Sequence, residues 1–373
     1  MKIGIYGGAF NPVHVEHVNV AKAAANFLEL DKLIVMPTYI SPHKSGDMSA
    51  KGIDRLEMCR LAFCDDKVEV SDYELKRGGV SYSYVTCRHF KKLYPDDDLY
   101  FIIGSDSLQG FYDWKQPDEI LKCVTLAVCA REDASVLKPE LKKFQKTFGR
   151  DVVTFGYVGK SVSSTRVRAL AALGEDFSSY VVGAVGRYMR ERKLYYLPEL
   201  AGVKKYLTAE RWRHSVGVAV MAAENSRRVR VCEIDAIYAG ALHDCAKYLG
   251  SDAPELKGFI CPENVPSPVV HQFSGAYVAQ HTFGIRDEGV LNAIRYHTSG
   301  RENMSGLEKL IFLADFLEEN RQYDGVNELR RIFKRDVDEC LKVSLERQLN
   351  RLKASGGEVY PLTRRAYLYL IEN

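Results

Sequence analysis

The sequence lacks long hydrophobic runs, and this absence excludes the simplest kind of membrane protein. No apolar stretch approaches the roughly 20 residues that a helix needs to cross a bilayer. The opening residues, MKIGIYGG, lead straight into a short apolar run and show neither the basic nor the apolar segment of a signal peptide. We therefore expect no membrane association and a cytoplasmic location.

Cysteine pairs are absent as well. The nine cysteines form no Cys-x-x-Cys pair, and their number is odd. Zinc ribbons and redox dithiols need such pairs, and disulfide scaffolds use an even number of cysteines. In a chain of 373 residues, this usage is typical of reduced thiols in a cytoplasmic protein.

A strong net charge is the third missing feature. The 52 basic and 49 acidic residues leave a formal net charge of +3, and they are spread along the chain without a block of one sign. Proteins that bind nucleic acid usually carry a concentrated basic patch. We therefore expect no nucleic-acid partner, whereas small phosphorylated ligands remain compatible with the sequence, and the oligomeric state is left open.

The chain is long enough for two domains, each with its own core. Up to about residue 190, short apolar runs alternate with amphipathic stretches, and the runs are KIGIY, KLIVMP, KVEVS, LYFIIG, VTLAVCA and VVTFGYV. Runs of this kind are typical of buried parallel strands, and their alternation with helices predicts an α/β domain with a doubly wound, Rossmann-like sheet. We assign residues 1–195 to this domain.

The second half of the sequence changes character. After YYLPELAG (195–202) the strand-like runs stop and helical patterns follow one another. Pro198 and Gly202 mark the change. We therefore predict an all-α helical bundle over residues 203–373.

A candidate phosphate-binding turn opens the first domain. The strand KIGIY ends in Gly7 and Gly8, and a helix begins near His14. Glycines allow the backbone to approach a phosphate, and a helix N-terminus attracts anions. His14 and His17 lie three residues apart and share one face of that helix, where both imidazoles could donate hydrogen bonds to phosphates.

A second candidate phosphate site lies late in the domain. SVSSTRVRAL (161–170) places hydroxyl residues before a helix and arginines in its first turns. Hydroxyl side chains cap helices, but a cation at a helix start opposes the helix dipole. Arginines at this position are explained if an anion lies between them and the helix.

These motifs, in their order and spacing, resemble those of the bacterial nicotinate mononucleotide adenylyltransferases, within the HxGH nucleotidyltransferases. The resemblance extends from residue 1 to about 192. It rests on GGAFNPVHVEH, SPHK (41–44), SYSYVT (81–86), IIGSD (102–106), Trp114 and SSTRVR (163–168).

The resemblance implies roles for individual residues. His14 and His17 would contact the ATP phosphates, Lys44 would neutralise the triphosphate, and Ser164, Thr165 and Arg168 would complete its binding site. Asp106 would hold a ribose hydroxyl, Thr86 and Trp114 would bracket the nicotinate ring, and Mg²⁺ would assist. The other implied nucleotide- or substrate-binding residues are Gly7, Gly8, Phe10, Ser81, Tyr82, Gly104 and Ser163.

The sequence departs from the family pattern at three positions. Glu16 replaces the usual glycine between the two histidines, Asn11 replaces an aspartate, and Val85 stands where an aspartate is common. A carboxylate about 5 Å from a phosphate would cost on the order of one to a few kcal/mol. Alternatively, Glu16 points outward and meets the positive end of the helix.

The helical half contains histidines and aspartates at the ends of separate helical patterns. They are His214, His243, Asp244, His271, His297 and Asp315. An adjacent His-Asp pair at the end of the apolar run AIYAGALHD is costly to bury without a partner. Imidazole and carboxylate without thiolate suit iron, manganese, cobalt or zinc.

Six ligands exceed the need of one ion, which predicts two metal ions bridged by Asp244 and a hydroxide. Lys247 lies three residues after Asp244 on the same helical face and could neutralise phosphate oxygens.

This half resembles the HD-domain phosphohydrolases, in particular the symmetrical diadenosine tetraphosphate hydrolases. The resemblance runs from about Tyr206 to residue 360 and includes HDCAK, HQFSGAY and IRYHTSGRENMSGLEKLIFLADFLEENR. It implies that the six residues above bind the metals and that iron is the metal. It also places three residues near the nucleotide, namely Arg295, Thr298 and Ser299.

Three hypotheses follow. In the first, the chain is a bifunctional enzyme that makes nicotinate adenine dinucleotide from ATP and nicotinate mononucleotide, and cleaves dinucleoside polyphosphates. In the second, Glu16 disables transfer, and the first domain is a nucleotide-binding regulator of the hydrolase. In the third, transfer is retained but the acceptor is another phosphorylated small molecule.

Overall fold

The computed structural model describes residues 1–41, 48–130, 137–159 and 162–372. Its first half contains one sheet of six parallel strands in the order β3-β2-β1-β4-β5-β6. The strands are β1 (Lys2–Gly8), β2 (Lys32–Pro37), β3 (Val68–Val70), β4 (Asp98–Gly104), β5 (Thr125–Ala130) and β6 (Val153–Gly156). The predicted doubly wound sheet is confirmed.

The helices of this half connect the strands. They are α1 (Val15–Leu28), α2 (Gly52–Ala62), α3 (Tyr73–Arg77), α4 (Ser83–Leu93), α5 (Ser105–Gln109), α6 (Pro117–Cys123), α7 (Lys138–Phe148), α8 (Ser164–Ala172) and α9 (Gly183–Glu191). Helices cover both faces of a doubly wound sheet, so strand residues such as Ile3, Ile5 and Ile34 are fully buried.

The order of the strands determines where a ligand can bind. The chain reverses its direction of strand addition between β1 and β4, which pair directly in the centre of the sheet. Open α/β sheets bind ligands in the crevice outside the carboxyl ends of the strands at such a reversal. Here that edge carries Gly7 and Gly8 at the end of β1 and Gly104 at the end of β4.

The second half is helical, as predicted. Its helices are α10 (Ala209–Asn225), α11 (Glu233–Leu242), α12 (Val270–His281), α13 (Glu288–Arg295), α14 (Gly306–Leu317), α15 (Val326–Arg335), α16 (Val337–Ala354) and α17 (Pro361–Glu372). Small and aliphatic residues of α10, α11, α13 and α14 form the core of this bundle. No helix in the described part of the chain is long and apolar enough to span a membrane.

The chain divides into two compact units. The first runs to Val167 and takes in Phe177–Leu194, whereas the second comprises Met48, Arg168–Asp176 and the chain from Tyr195 onward. The main change of unit falls beside the predicted end of the first domain at 195. The assignment of 168–176 to the second unit was not predicted.

A close approach of two helices sets the geometry of the second unit. A Cβ built on Gly240 of α11 would lie 2.5 Å from the Cα atom of Ala219 on α10. Real Cβ contacts are longer, so only glycine at 240 permits this helix spacing. The approach matters for function because α10 carries His214 and α11 leads directly into His243.

We predict that Gly240→Ala destabilises the second unit by about 1–3 kcal/mol, because backbone atoms must move apart to accept the methyl group. Gly183→Ala at the start of α9 is the control, since its Cβ would meet no atom closer than 3.9 Å. Calorimetric unfolding of both variants measures the effect. Equal transition temperatures for native protein and Gly240→Ala would show that the packing of α10 against α11 does not require glycine at position 240.

Candidate active sites

The turn between β1 and α1 brings two histidine rings together. Phe10 adopts a left-handed backbone conformation with φ of 45° and folds its ring back over Gly8. The ring of His17 packs edge-on against Phe10 and stacks on His14 at a centroid distance of 3.6 Å. The backbone N–H of His14 donates to Nδ1 of His17 at 3.1 Å. Because Nδ1 accepts, neutral His17 carries its hydrogen on Nε2, which makes that nitrogen a donor suited to an anion.

A second helix begins beside the same turn. The hydroxyl of Ser164 donates to the carbonyl of Pro12 at 2.9 Å, and Ser163 Oγ accepts the backbone N–H of Arg166 at 3.0 Å. The N-termini of α1 and α8 therefore both lie near the turn, and each contributes a positive dipole end. Thr165 follows in the first turn of α8.

The side chain of Glu16 is turned toward the segment that follows β6. It is 6% exposed. Its Oε1 accepts from Asn19 Nδ2 at 3.3 Å and from the hydroxyl of Tyr157 at 3.4 Å. A Cβ on Gly159 would lie 1.9 Å from the other carboxylate oxygen, so the absence of a side chain at 159 makes room for Glu16. This acid is thus packed into the protein beside the first turn of α1.

Three further residues predicted to bind nucleotide or substrate, Gly104, Asp106 and Trp114, lie at the end of β4 or follow it in the chain. Gly104 ends β4 and Asp106 lies in the first turn of α5. Trp114 packs against Phe101 and Phe111. Asp106 thus follows the carboxyl end of β4, at the same edge of the sheet as the turn with the two histidines.

The segment SYSYVT is held by a carboxylate that the sequence analysis missed. Thr86 is 1% exposed, and its hydroxyl donates to Glu74 Oε1 at 2.5 Å. Ser81 Oγ accepts the backbone N–H of Tyr39 at 2.9 Å, and Tyr82 is the residue at the N-cap position of α4. Glu74 lies in ELKRGG, a stretch rich in charged residues and glycine, which gave no sign that its acid would be buried.

Burial raises the pKa of Glu74, although hydrogen bonds from Thr86 and Ser81 act against this. Its Oε2 is buried and has no hydrogen-bond partner among the described residues. The cost of burying this oxygen falls mainly on the ionised form.

Lys44 and Arg168 are the two positively charged residues predicted to contact the ATP phosphates. Lys44 lies outside the described residues. The guanidinium of Arg168, in the second unit, forms two hydrogen bonds with the carboxylate of Glu233, with Nε–Oε1 at 2.7 Å and Nη2–Oε2 at 2.5 Å. Both side chains are at most 10% exposed. A contact of Arg168 with ATP therefore stays a prediction.

In the second unit, six side chains from five helical regions converge. His214 lies on α10, His243 and Asp244 follow α11, His271 lies on α12, His297 follows α13 and Asp315 lies on α14. Ligand atoms of His214, His243 and Asp315 lie within 4.8 Å of one another, as do those of His243, Asp244 and His297. His271 Nε2 is 3.3 Å from Asp244 Oδ1. The structure thus assembles all six predicted ligands.

Backbone and carboxylate acceptors orient the histidine rings. Nδ1 of His243 lies 2.8 Å from the carbonyl of Gly240, and Nδ1 of His297 lies 2.7 Å from that of Ile294. Carbonyls only accept, so these rings carry hydrogen on Nδ1 and direct the Nε2 lone pair inward. His243 Nε2 is buried and makes no hydrogen bond in the described chain.

Electrostatics keep the carboxylates ionised. Burial would raise the pKa of Asp244, but His243, His271 and His297 hold it well below its usual range. Burial lowers the pKa of His271 to about 4, so its ring is neutral near pH 7. Imidazoles and anionic carboxylates are the donor set that divalent transition metals prefer, and the residues therefore fit such ions.

Cationic side chains surround the two aspartates. Arg211 Nη1 lies 3.0 Å from Asp244 Oδ2, and Lys247 Nζ lies 3.1 Å from Oδ1 of the same carboxylate. Arg321 Nη2 lies 2.6 Å from Asp315 Oδ1. Lys247 lies beside Asp244 as predicted, but in the turns that follow α11 and not on a helical face, because α11 ends at Leu242. Arg211 and Arg321 were not identified from the sequence.

The residues predicted near the nucleotide of this site differ in position. Thr298 Oγ1 lies 3.0 Å from His297 Nε2, inside the cluster. Ser299 is fully buried and accepts from Gln272 Nε2 at 3.0 Å. Arg295 bonds to Asn292 on its own helix. Only Thr298 among the three has a contact with the predicted ligands in the described chain.

We predict that Glu74→Gln changes the pH dependence of stability. Burial raises the pKa of Glu74 in the folded protein above its ordinary value of 4.5. As the pH rises from about 4.5 through this raised pKa, the native protein therefore loses stability relative to Glu74→Gln. Above the raised pKa, the difference in stability between the two proteins stays constant. Thermal unfolding between pH 4 and 8 measures this. Exposed Glu69→Gln is the control, and parallel curves for Glu74→Gln and native protein would contradict the prediction.

Comparisons with known proteins find two family models, one in each half of the chain. The Cytidylyltransferase-like family model matches residues 5–170, and the HD domain model matches residues 211–320. A probable nicotinate-nucleotide adenylyltransferase/Ap4A hydrolase of Mycoplasma genitalium is 29% identical over 364 residues, which cover 94% of this chain and 99% of that protein.

Other relatives match one half each. A probable nicotinate-nucleotide adenylyltransferase of Clostridium tetani is 34% identical over 197 residues, which cover 52% of this chain and 98% of that protein. The crystal structure of a predicted HD superfamily hydrolase involved in NAD metabolism from Clostridium acetobutylicum is 34% identical, covers 46% of this chain and 93% of that one, and has a TM-score of 0.43.

Proposed function

The chain belongs to the nicotinate-nucleotide adenylyltransferase family through its first half and carries an HD domain in its second, and from this premise we propose that it is a bifunctional enzyme. The first half joins ATP and nicotinate mononucleotide to give nicotinate adenine dinucleotide and pyrophosphate. The second hydrolyses diadenosine tetraphosphate symmetrically to two ADP. The observation that carries the proposal is the pairing of a helix-terminal histidine site with a separate cluster of six metal-ligand side chains.

In the first half, catalysis depends on position and charge. A phosphate oxygen of nicotinate mononucleotide forms a bond to the α-phosphorus of ATP, and the bond from that phosphorus to the bridging oxygen breaks, releasing pyrophosphate. Nε2 of His17 and the N-terminal dipoles of α1 and α8 would stabilise the negative charge on the phosphates. Mg²⁺ would accompany ATP. No covalent enzyme intermediate is required.

The contacts of Glu16 support active transfer. Its carboxylate accepts hydrogen bonds from Asn19 and Tyr157 and packs against Gly159. An acid held in this way meets the positive end of α1, where a negative charge is favourable. The alternative, a disabled first half that regulates the hydrolase, would need Glu16 to obstruct the nucleotide.

In the second half, Asp244 would bridge two divalent ions, with His214, His243 and Asp315 on one side and His271 and His297 on the other. Such a pair of ions lowers the pKa of bound water and neutralises charge on the reacting phosphate. Lys247 and Arg211 would then contact phosphate oxygens. We propose iron as the metal, with manganese, cobalt and zinc as the alternatives that metal analysis of purified protein would distinguish.

The first prediction concerns adenylyl transfer. Asp244→Ala protein, which cannot hydrolyse the product, should form nicotinate adenine dinucleotide from ATP, Mg²⁺ and nicotinate mononucleotide. In the same background, His17→Ala should lower kcat by about 10²–10³, the usual cost of removing one donor to developing charge. Product is measured by chromatography. Transfer that appears only after Glu16→Gly would support the regulatory alternative instead.

The second prediction concerns hydrolysis. Asp244→Ala should lower diadenosine tetraphosphate cleavage by more than about a hundredfold, because even partners of metal ligands cost 10–100-fold when removed. His17→Ala should cleave at the native rate, so each variant is the control for the other. Two ADP per substrate is the expected product ratio, and ATP plus AMP would argue against symmetrical cleavage. If ATP changes the rate of hydrolysis by the native protein but not by His17→Ala, the first half also regulates the hydrolase.

A further inference from the structure

The two halves of the metal cluster are built differently. The cluster divides into a first position, formed by His214, Asp315 and His243, and a second position, formed by His271 and His297, whose Nε2 atoms lie 3.3 Å and 3.6 Å from Asp244 Oδ1. The other oxygen of Asp244 lies 3.3 Å from His243 Nε2, so this carboxylate connects the two positions. This inference rests on the proposed metal centre. The two positions differ in the hydrogen-bond partners behind their histidines, on the side of each ring that faces away from the ion.

A buried carboxylate supports the first position. Nδ1 of His214 lies 3.1 Å from Glu318 Oε1, and Glu318 is 1% exposed. The other oxygen of Glu318 accepts from the backbone N–H of Asn320 at 2.7 Å and from its side chain at 2.9 Å. The carboxylate is therefore fixed, and a carboxylate behind a histidine makes the ring a stronger metal ligand.

A glycine makes room for this carboxylate. Gly217 lies three residues after His214 on the same face of α10. A Cβ on Gly217 would be 2.3 Å from Glu318 Oε2 and 2.9 Å from its Cδ. Glycine is a poor residue inside a helix, and the position of Glu318 explains its presence here.

Among the described residues, the second position has no carboxylate behind its histidines. Nδ1 of His297 bonds there to the backbone carbonyl of Ile294. The hydrogen bonds of His271 in the described ranges are made by Nε2, which lies near His297 Nε2 and Thr298 Oγ1. Cationic side chains contact the carboxylates of both positions, Arg211 and Lys247 at Asp244 and Arg321 at Asp315. The difference between the positions therefore lies in the groups behind the histidines and not in these cations.

From this asymmetry we propose that the two positions bind their ions with different affinities and fill in order. The first position binds more tightly because Glu318 holds His214 in a fixed orientation and adds negative charge behind it. Glu318 is a positioning residue, since it touches the ligand and not the ion. The second position fills last and empties first.

Calorimetric titration of metal-free protein with Mn²⁺ tests the proposal without measuring activity. Native protein should show two binding events per chain with distinct dissociation constants. His271→Ala should remove the weaker event and leave the tighter one. Loss of the tighter event in His271→Ala, or two equal events in the native protein, would overturn the order of filling.

Two variants test the role of Glu318 by different routes. Glu318→Gln removes the charge, and Gly217→Ala keeps the charge but pushes the carboxylate aside. Both should weaken the tighter event by about 10–100-fold while the weaker event changes less. Glu319→Gln, at the adjacent exposed residue, is the control. Unchanged constants in both variants would exclude the proposed role.

Different experimental results would contradict the proposed function and the order of metal binding. Circular dichroism identifies a variant that does not fold, and if Glu318→Gln is such a variant, Gly217→Ala decides the result. Failure of native protein to bind Mn²⁺ at all would contradict the metal centre itself. Two bound ions that are insensitive to Glu318 would contradict only the inference.

Discussion

The helical half is organised around one carboxylate removed from solvent. Asp244 is 0% exposed, and an unpaired charge at such depth would be strongly unfavourable. Three histidines, Arg211 and Lys247 surround it, and they come from α10 to α13 or the turns that follow these helices. The charge is therefore surrounded by the beginnings of some helices and by the turns that follow others, although these helices are distant in sequence. Two of them, α10 and α11, approach each other closely at Gly240.

The sheet half depends on a different constraint, the common direction of its strands. Parallel strands place all their carboxyl ends at one edge, so the residues that follow β1 and β4 are neighbours without any specific attraction. The reversal of strand order between these two strands then leaves a crevice. Helix termini, histidines and glycines lie at this crevice, and helix N-termini are suited to the binding of an anion.

The sequence predicted the sheet, the bundle and the six histidine and aspartate side chains that the structure brings together, because hydrophobic periodicity and motif order are local signals. It did not predict the partners that hold these groups in place. Glu318 belongs to a run of two glutamates, and only its fold position shows which one faces His214. The direction of Glu16 depends on Tyr157, which lies 141 residues away along the chain. Such contacts are tertiary, and neither propensity nor spacing encodes them.

The allocation of Arg168–Asp176 to the second unit has a consequence for dividing the protein. Ala169, Ala172 and Leu173 are buried in the core of the helical bundle, and Glu175 accepts from Trp212 Nε1 at 2.6 Å. A fragment ending near residue 195 would expose these apolar side chains and leave Arg168 without Glu233. The two halves are therefore separable by motif but not by a single cut, and an isolated first half would need a redesigned surface on the helix α8 and the turn after it.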